Sequence, residues 1–352
     1  MLDARSPDGL RRSATKLPSR VSLFTAADLE ILRHSHFDQP LPERHNVTDS
    51  SPFFTRRELA ATLPLIATAL DEDLADGTDL TCAAMVSDDD FAEIHVRTRE
   101  AGIIAGLPIG ELVFQQLANR MGPTRAVVWT TEVADGSTIE PDQVVARAIG
   151  PLDALLIGER TVLNFLGHLS GIASLTGRFV SAAAGTKAKI LDTRKTLPGW
   201  RVLAKYAVRC GGGTNHRMGL YDGVLIKDNH LAAWSQQIGN SSLAEALRQA
   251  RGRSPRGISI EVEVDTLAQL RDVIDGQPDI VLLDNMPPEQ LREAVAIRDE
   301  RAPQMQLEAS GGVTLNTVRA IAETGVDRIS IGALTHSVVN LDLGFDFHRR
   351  KR

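Results

Sequence analysis

The chain has 352 residues, a formal net charge of −6 and 43% hydrophobic residues, so it is long enough to bury one large core or two smaller ones. An acidic chain of this kind argues against a general nucleic-acid binder, because such binding depends mainly on a surplus of Lys and Arg. The cysteines, Cys82 and Cys210, lie in no metal-binding or redox spacing, and no stretch reaches the ~18 apolar residues of a membrane span, so we expect a cytoplasmic protein with no membrane partner.

The first part of the chain, residues 1–52, mixes Pro, Ser, Arg and Asp without a sustained period, which suggests a mobile extension. Three histidines in it, His34, His36 and His45, have no accompanying metal-binding motif. We therefore interpret them as exposed side chains rather than as a metal cluster. We assign the extension no function.

A small α+β domain is predicted next. Apolar residues recur at helical spacing over residues 57–70, which predicts a helix. Short β-prone runs at 94–96 and 126–129 are separated by Gly and Asp, which predicts strands. An apolar stripe from Asp153 towards Arg178 then predicts a long amphipathic helix, which we expect to bridge this domain and the next.

Beyond Gly185, apolar runs alternate with helical stretches, which predicts a parallel sheet buried on both faces. The predicted strands are 188–191, 223–226, 258–264, 280–283, 306–309 and 328–331. Such a sheet is either a barrel or an open doubly wound sheet. Polar residues follow strand after strand, as at the rim of a (β/α) barrel, whereas an open sheet concentrates them at one switch point. We therefore favour the barrel.

Positive charges are dense between Asp192 and His230, where seven Lys and Arg residues face three Asp residues. Four of them are candidates for binding an anion, because three end buried strands and one follows a glycine run. They are Arg194, Lys195, Lys227 and Arg217. Three others are spaced four apart on a helix, and we interpret them as its exposed face. They are Arg201, Lys205 and Arg209.

Glycine-rich loops and paired carboxylates complete the pattern. The run 211–213 lets the backbone turn sharply and brings His216 close to a ligand. The segment 310–312 precedes a helix and, with Gly332, provides small residues at which backbone N–H groups bind phosphate. The strand carrying Glu261 and Glu263 and the next one, ending at Asp284, place carboxylates opposite the cations, either as ion pairs or as ligands of Mg²⁺.

Taken in order, these segments resemble the quinolinate phosphoribosyltransferase family, also called nicotinate-nucleotide pyrophosphorylase (carboxylating). The matching segments are 158–165, 192–230, 261–264, 283–285, 310–314 and 331–337. The resemblance runs from roughly residue 58 to the end of the chain. The loop 76–81 has one residue more than the family's early Gly-Asp-x-Thr loop, so its register is uncertain.

The resemblance implies an open α/β sandwich at residues 53–165, completed by residues 341–352, and an incomplete (β/α) barrel at residues 166–340. It also implies a homodimer whose active sites each combine the barrel of one subunit with the N-terminal domain of the other. The implied reaction joins quinolinate and phosphoribosyl pyrophosphate to give nicotinate mononucleotide, pyrophosphate and CO₂. This step of NAD biosynthesis requires Mg²⁺.

The resemblance further implies roles for individual residues. The dicarboxylate would be surrounded by Arg160 of the partner subunit, Arg194, His216, Arg217 and Lys227. Other substrate-binding positions are Thr193, Lys195 and His336, with Lys195 close to both substrates. The ribose and the metal would be bound by Glu263 and Asp284, and the 5′-phosphate by Ser310, Gly311, Gly312 and Gly332. The residues implied to be catalytic are Lys195, Lys227, Glu263 and Asp284.

Two alternatives remain open at this point. A related phosphoribosyltransferase would use another small aromatic acid, but a user of nicotinate needs one carboxylate site fewer than these cations provide. A catalytically silent barrel would only bind phosphorylated metabolites, but silence predicts the loss of a carboxylate or a lysine that is present here.

Overall fold

The computed structural model describes residues 51–75, 77–238 and 242–348. The predicted extension up to residue 50 lies outside the described residues, together with its three histidines, and so does Asp76 of the loop 76–81. The helices are α1 Arg56–Leu74, α2 Leu80–Met85, α3 Leu107–Met121, α4 Leu152–Ala182, α5 Arg201–Cys210, α6 Asp228–Ile238, α7 Leu243–Arg253, α8 Leu267–Ile274, α9 Pro288–Arg301, α10 Val318–Ala322 and α11 Ala333–His336. The strands are β1 Phe91–Thr98, β2 Gly102–Ile103, β3 Val128–Thr131, β4 Thr138–Ile139, β5 Val144–Pro151, β6 Lys189–Leu191, β7 Val224–Ile226, β8 Ile260–Val264, β9 Ile280–Asp284, β10 Gln306–Ser310, β11 Arg328–Ser330 and β12 Leu343–His348.

The N-terminal domain is built on an antiparallel sheet with the strand order β12-β1-β5-β3. Its strand β12 comes from the far end of the described chain and places Leu343 opposite Thr98 of β1. The predicted helix at 57–70 is α1, which a capping box starts: the Thr55 side chain accepts from the backbone of Glu58, and the Glu58 side chain accepts from the backbone of Thr55. The predicted bridging helix is α4, which contacts α3 of this domain and α5 beyond it.

The second domain holds a six-stranded sheet with the order β6-β11-β10-β9-β8-β7, in which all strand pairs are parallel. Each of the six strands predicted from the sequence corresponds to one of these. The strands β8 and β9 are buried along most of their length, as expected for a parallel sheet covered on both faces. This architecture confirms the predicted fold class, an α/β sandwich followed by an incomplete (β/α) barrel.

The parallel strands all point the same way, so their carboxyl ends lie at one rim of the barrel. Within the described ranges, no helix combines the length and the apolar character needed to cross a bilayer.

Candidate active site

One part of the rim brings together Lys195, Gly332 and His336. Lys195 follows β6, whereas Gly332 caps the short helix α11 after β11 and His336 ends it. The two segments meet because β6 and β11 pair side by side, with Leu191 opposite Ser330. A Cβ atom at Gly332 would lie 3.1 Å from both Lys195 Cδ and His336 Nε2. The Lys195 backbone is fixed by its own loop, since its N–H donates to Thr193 Oγ1 at 3.1 Å. The side chains of Lys195 and His336 therefore lie at the same place on the rim, next to backbone that a ligand can approach closely.

The adjacent part of the rim joins the ends of β9 and β10, where Asp284 lies opposite Ser310. Asn285 connects the two: its N–H donates to Ser310 O at 2.9 Å, and its Nδ2 donates to Asp284 Oδ2 at 2.8 Å. Gly311 has φ +95° and its Cβ would lie 2.2 Å from Asn285 Oδ1, so only glycine fits. Gly312 follows in the left-handed region with φ +59°. The sharp turn therefore places the two glycines next to the carboxylate of Asp284.

Lys227 and Glu263 form an ion pair across β7 and β8. The carboxylate of Glu263 uses Oε2 for this contact, and that of Asp284 uses Oδ2 for Asn285. Among the described residues, neither Glu263 Oε1 nor Asp284 Oδ1 has a hydrogen-bond partner in the chain. Each carboxylate therefore keeps one oxygen for a ligand, which is the kind of donor that Mg²⁺ prefers.

Two further rim cations, Arg194 and Arg217, form no ion pair with a carboxylate in the described chain. Arg194 forms no ion pair there, and its Nε is buried without a hydrogen-bond partner. Arg217 donates from its guanidinium to Gly223 O at 2.9 Å but also has no ion pair. Burial, together with the nearby positive charge of Arg194, lowers the pKa of Arg217. Two partly buried cations that repel each other favour an anion between them.

His216 directly precedes Arg217 in the chain, and both nitrogens of its ring lie close to other groups. Its Nε2 lies 3.2 Å from Glu261 Oε2 and 3.3 Å from Glu308 Oε1, and the Arg217 N–H donates to its Nδ1 at 2.7 Å. Burial lowers the pKa of His216, but hydrogen bonds and charges from the two glutamates outweigh it and raise the pKa to about 9.

The raised pKa and the contact at Nδ1 favour different protonation states of His216. A second ring proton would occupy Nδ1, where the lone pair now accepts the Arg217 N–H. The contact geometry therefore fits a ring with one proton, on Nε2, while the carboxylates favour the cation. In both states Nε2 carries a proton, so the glutamates orient the ring in the same way.

The prediction that Lys205 belongs to an exposed helix face is wrong. Lys205 is fully buried, forms an ion pair with Asp192 and donates to His216 O at 2.9 Å. Arg209, on the same face of α5, pairs with Glu58 of α1 at 3.0 Å. The spacing of four residues identified a shared helix face correctly, but that face packs against other elements instead of meeting solvent.

Two residues lie outside the group of rim contacts described so far: Arg160, which was predicted, and Glu308, which was not. Arg160 lies exposed on α4, and its guanidinium has no hydrogen bond or ion pair within the described ranges, so no such contact joins it to the rim. Glu308 was not predicted, although it is fully buried and contacts His216. A charged residue in the middle of a buried strand was the available signal for Glu308.

Comparisons with known proteins agree with this geometry. Family models of quinolinate phosphoribosyl transferase match residues 79–170 for the N-terminal domain and 172–346 for the C-terminal domain. The nicotinate-nucleotide pyrophosphorylase (carboxylating) of Mycobacterium leprae is 45% identical over 289 residues, which is 82% of this chain and 98% of that protein. A probable enzyme of the same name from Bacillus subtilis is 41% identical over 78% of this chain and 89% of its own length. The structure of the nicotinate-nucleotide pyrophosphorylase from Francisella tularensis matches with a TM-score of 0.74 at 34% identity, covering 87% of this chain and 100% of that one.

Proposed function

The chain belongs to the quinolinate phosphoribosyltransferase family, and on that premise we propose that it transfers the phosphoribosyl group of phosphoribosyl pyrophosphate to quinolinate. The products are nicotinate mononucleotide, pyrophosphate and CO₂, and the reaction is a step of NAD biosynthesis. The chain is thus a pentosyltransferase. The observation that carries the proposal is the pair Arg194 and Arg217, which form no ion pair with a carboxylate of the described chain although they lie close enough to repel each other.

Quinolinate carries two adjacent carboxylates on a pyridine ring, so a site for it needs several cations within reach of one another. Arg194 and Arg217 provide planar guanidinium groups, which match a carboxylate better than an ammonium group does. The Lys227 side chain is about half exposed and already paired with Glu263, so it can add an ammonium group at the edge of the acid.

Phosphoribosyl pyrophosphate needs a second set of contacts. The turn at Ser310, Gly311 and Gly312, with Gly332 opposite, provides backbone donors for the 5′-phosphate. Lys195 and His336 lie beside Gly332, and Lys195 directly follows Arg194 in the chain. The free oxygens of Glu263 and Asp284 suit the ribose hydroxyls and Mg²⁺, which when bound would neutralise pyrophosphate oxygens.

The chemistry follows from charge. The bond between the anomeric carbon and pyrophosphate breaks while the pyridine nitrogen bonds to that carbon, so negative charge grows on the leaving group, where Lys195 stabilises it. The bond to the carboxylate next to the ring nitrogen then breaks and CO₂ leaves. The electron pair stays on that ring carbon, where the positive pyridinium nitrogen stabilises it, and a proton from water then bonds to the carbon to give nicotinate mononucleotide. Arg194 and Arg217 hold the ring and the retained carboxylate in place during both steps.

We also propose a homodimer in which Arg160 of the partner subunit completes each active site. Support comes from the exposed position of Arg160 and the absence of any hydrogen bond or ion pair for its guanidinium within the described ranges. Helix α2 adds exposed apolar side chains, Leu80 at 82% and Met85 at 79%, of the kind that a second subunit covers. A cytoplasmic location is proposed because Cys82 and Cys210 are both free thiols.

The test is a coupled measurement on the purified protein with quinolinate, phosphoribosyl pyrophosphate and Mg²⁺. We expect nicotinate mononucleotide and CO₂ to form in equal amounts. Nicotinate in place of quinolinate serves as the control, because it lacks the carboxylate that is lost. Turnover of nicotinate without CO₂ release, or no turnover of either acid, would contradict the proposal.

A further inference from the structure

We propose that Glu308 is a positioning residue of this active site: from inside the barrel it holds the His216 ring, and through that ring it holds Arg217 in place for the acid substrate. The inference rests on the proposed function, because it takes Arg217 as a ligand of quinolinate. It adds a residue that lies below the rim and was not among the predicted contacts with either substrate.

Glu308 is held rigidly enough for this task. It lies in the middle of β10 and is fully buried. Its Oε1 faces His216 Nε2 at 3.3 Å, while its Oε2 accepts from Arg328 Nε at 2.6 Å. Arg328 is its neighbour on β11, so two paired strands fix both ends of this ion pair. Because Arg328 fixes Oε2, the buried carboxylate has little freedom to rotate, and Oε1, which has no hydrogen-bond partner among the described residues, stays at ion-pair distance from the ring nitrogen.

The contact continues from His216 to Arg217. The Arg217 N–H donates to Nδ1, and Glu261 shares Nε2 with Glu308. Both ring nitrogens therefore lie close to groups of the chain itself. Because the orientation of the ring is fixed in this way, the ring can in turn fix the backbone of Arg217. Any rotation of the ring would break the bond at Nδ1 and release that backbone. Glu308 thus acts on the substrate through Arg217 and not by touching it.

Other groups near the ring bond to the backbone of His216 or change the pKa of its side chain. The His216 N–H donates to Asp192 Oδ1 at 2.9 Å, and His216 O accepts from Lys205. Glu261 on β8 and Glu308 on β10 face the ring nitrogen with negative charge, and Glu261 also acts on the charge of Arg217, together with Arg194. The two carboxylates raise the pKa of His216, so removing one of them should lower it.

The experiment compares Glu308→Gln with Asp327→Asn as a matched control. Asp327 also joins β10 to its surroundings, since its Oδ2 accepts from Leu307 N–H at 2.9 Å and pairs with Arg298 at 2.6 Å, but it has no contact with His216. We expect Glu308→Gln to raise KM for quinolinate by roughly tenfold or more, with KM for phosphoribosyl pyrophosphate within about twofold of the native value. We expect Asp327→Asn to leave both KM values within about twofold.

A second measurement does not depend on turnover. The ring of His216 can be followed by NMR of histidine labelled with ¹⁵N, and its apparent pKa should fall by about one unit or more in Glu308→Gln. If that variant does not fold, Glu308→Asp is the substitute, because its shorter side chain keeps a carboxylate near Arg328 but moves it away from His216. The same rise of KM for quinolinate and the same fall of the His216 pKa are expected.

Three results in Glu308→Gln would overturn the inference. They are an equal rise of both KM values, an unchanged KM for quinolinate and an unchanged pKa of His216. An inactive native enzyme would contradict the proposed function instead, and the NMR titration would still decide whether Glu308 holds the ring.

Discussion

At the scale of single residues, the property that matters is unbalanced charge. Arg125 and Arg298 form ion pairs with carboxylates of the chain, whereas Arg194 and Arg217 form no ion pair within the described ranges. Keeping two such cations close together costs free energy unless a ligand neutralises them. Their arrangement therefore makes sense for a binding site and not for a structural ion-pair network.

Replacing either arginine should weaken the enzyme for one substrate in particular. We expect Arg194→Ala and Arg217→Ala each to lower kcat/KM for quinolinate by roughly ten- to a hundredfold, since a charge-assisted hydrogen bond contributes about 1.5–3 kcal/mol. Arg319→Ala is the control, because Arg319 is exposed and contacts Glu323, one turn away, and the carbonyl of Ala184 at 2.7 Å, neither of which is a predicted site residue. Steady-state kinetics decide the matter, and values within a factor of about two of the native enzyme would contradict this role.

At the scale of elements, the loop between β10 and α10 is the part of the site most constrained by its backbone. Alanine at position 311 would be strained by the positive φ and would also collide with Asn285, whose side chain bonds Asp284. Alanine at position 312 shares the strain, but its Cβ would meet nothing within 4 Å. The two glycines therefore differ in the collision and also in φ, which is +95° at 311 and +59° at 312.

We expect Gly311→Ala to raise KM for phosphoribosyl pyrophosphate by roughly tenfold or more, and Gly312→Ala to raise it clearly less, because only the first displaces Asn285 and Asp284. The comparison of the two KM values shows whether the position that meets Asn285, and has the larger φ, tolerates a side chain less well. Equal effects of the two substitutions would show that the collision does not matter.

The elements themselves were largely predictable from the sequence. The predicted strand at 306–309 is β10, Gln306–Ser310, and the one at 280–283 is β9, Ile280–Asp284, because short apolar runs between polar loops mark buried parallel strands. Sequence spacing could not show that the face of α5 with Lys205 is buried, so the contact of Lys205 with His216 O appears only in the structure. Nor could it show that Glu308 of β10 faces His216, because this contact joins residues far apart in the chain. The individual roles of the predicted site residues stay predictions.

At the scale of the whole molecule, the proposed assembly follows from where Arg160 lies. The rim residues Lys195, Lys227 and Asp284 belong to one barrel, whereas Arg160 projects from α4 without a hydrogen-bond or ion-pair partner among the described residues. If a second copy provides this arginine, each active site depends on two chains. Defects in different parts of the site can then complement each other in a mixed dimer.

Coexpressing Arg160→Ala with Lys227→Ala tests this directly. Each variant alone should be nearly inactive, but half of the dimers would be mixed and each would keep one intact site of two, so roughly a quarter of the native activity should return. Coexpressing Lys195→Ala with Lys227→Ala is the matched control, because both lysines belong to the same barrel and every site of the mixed dimer lacks one of them. Recovery in the first pair and none in the second would support shared sites. Full activity of Arg160→Ala alone, or no recovery in the first pair, would show that each chain forms its active site without its neighbour.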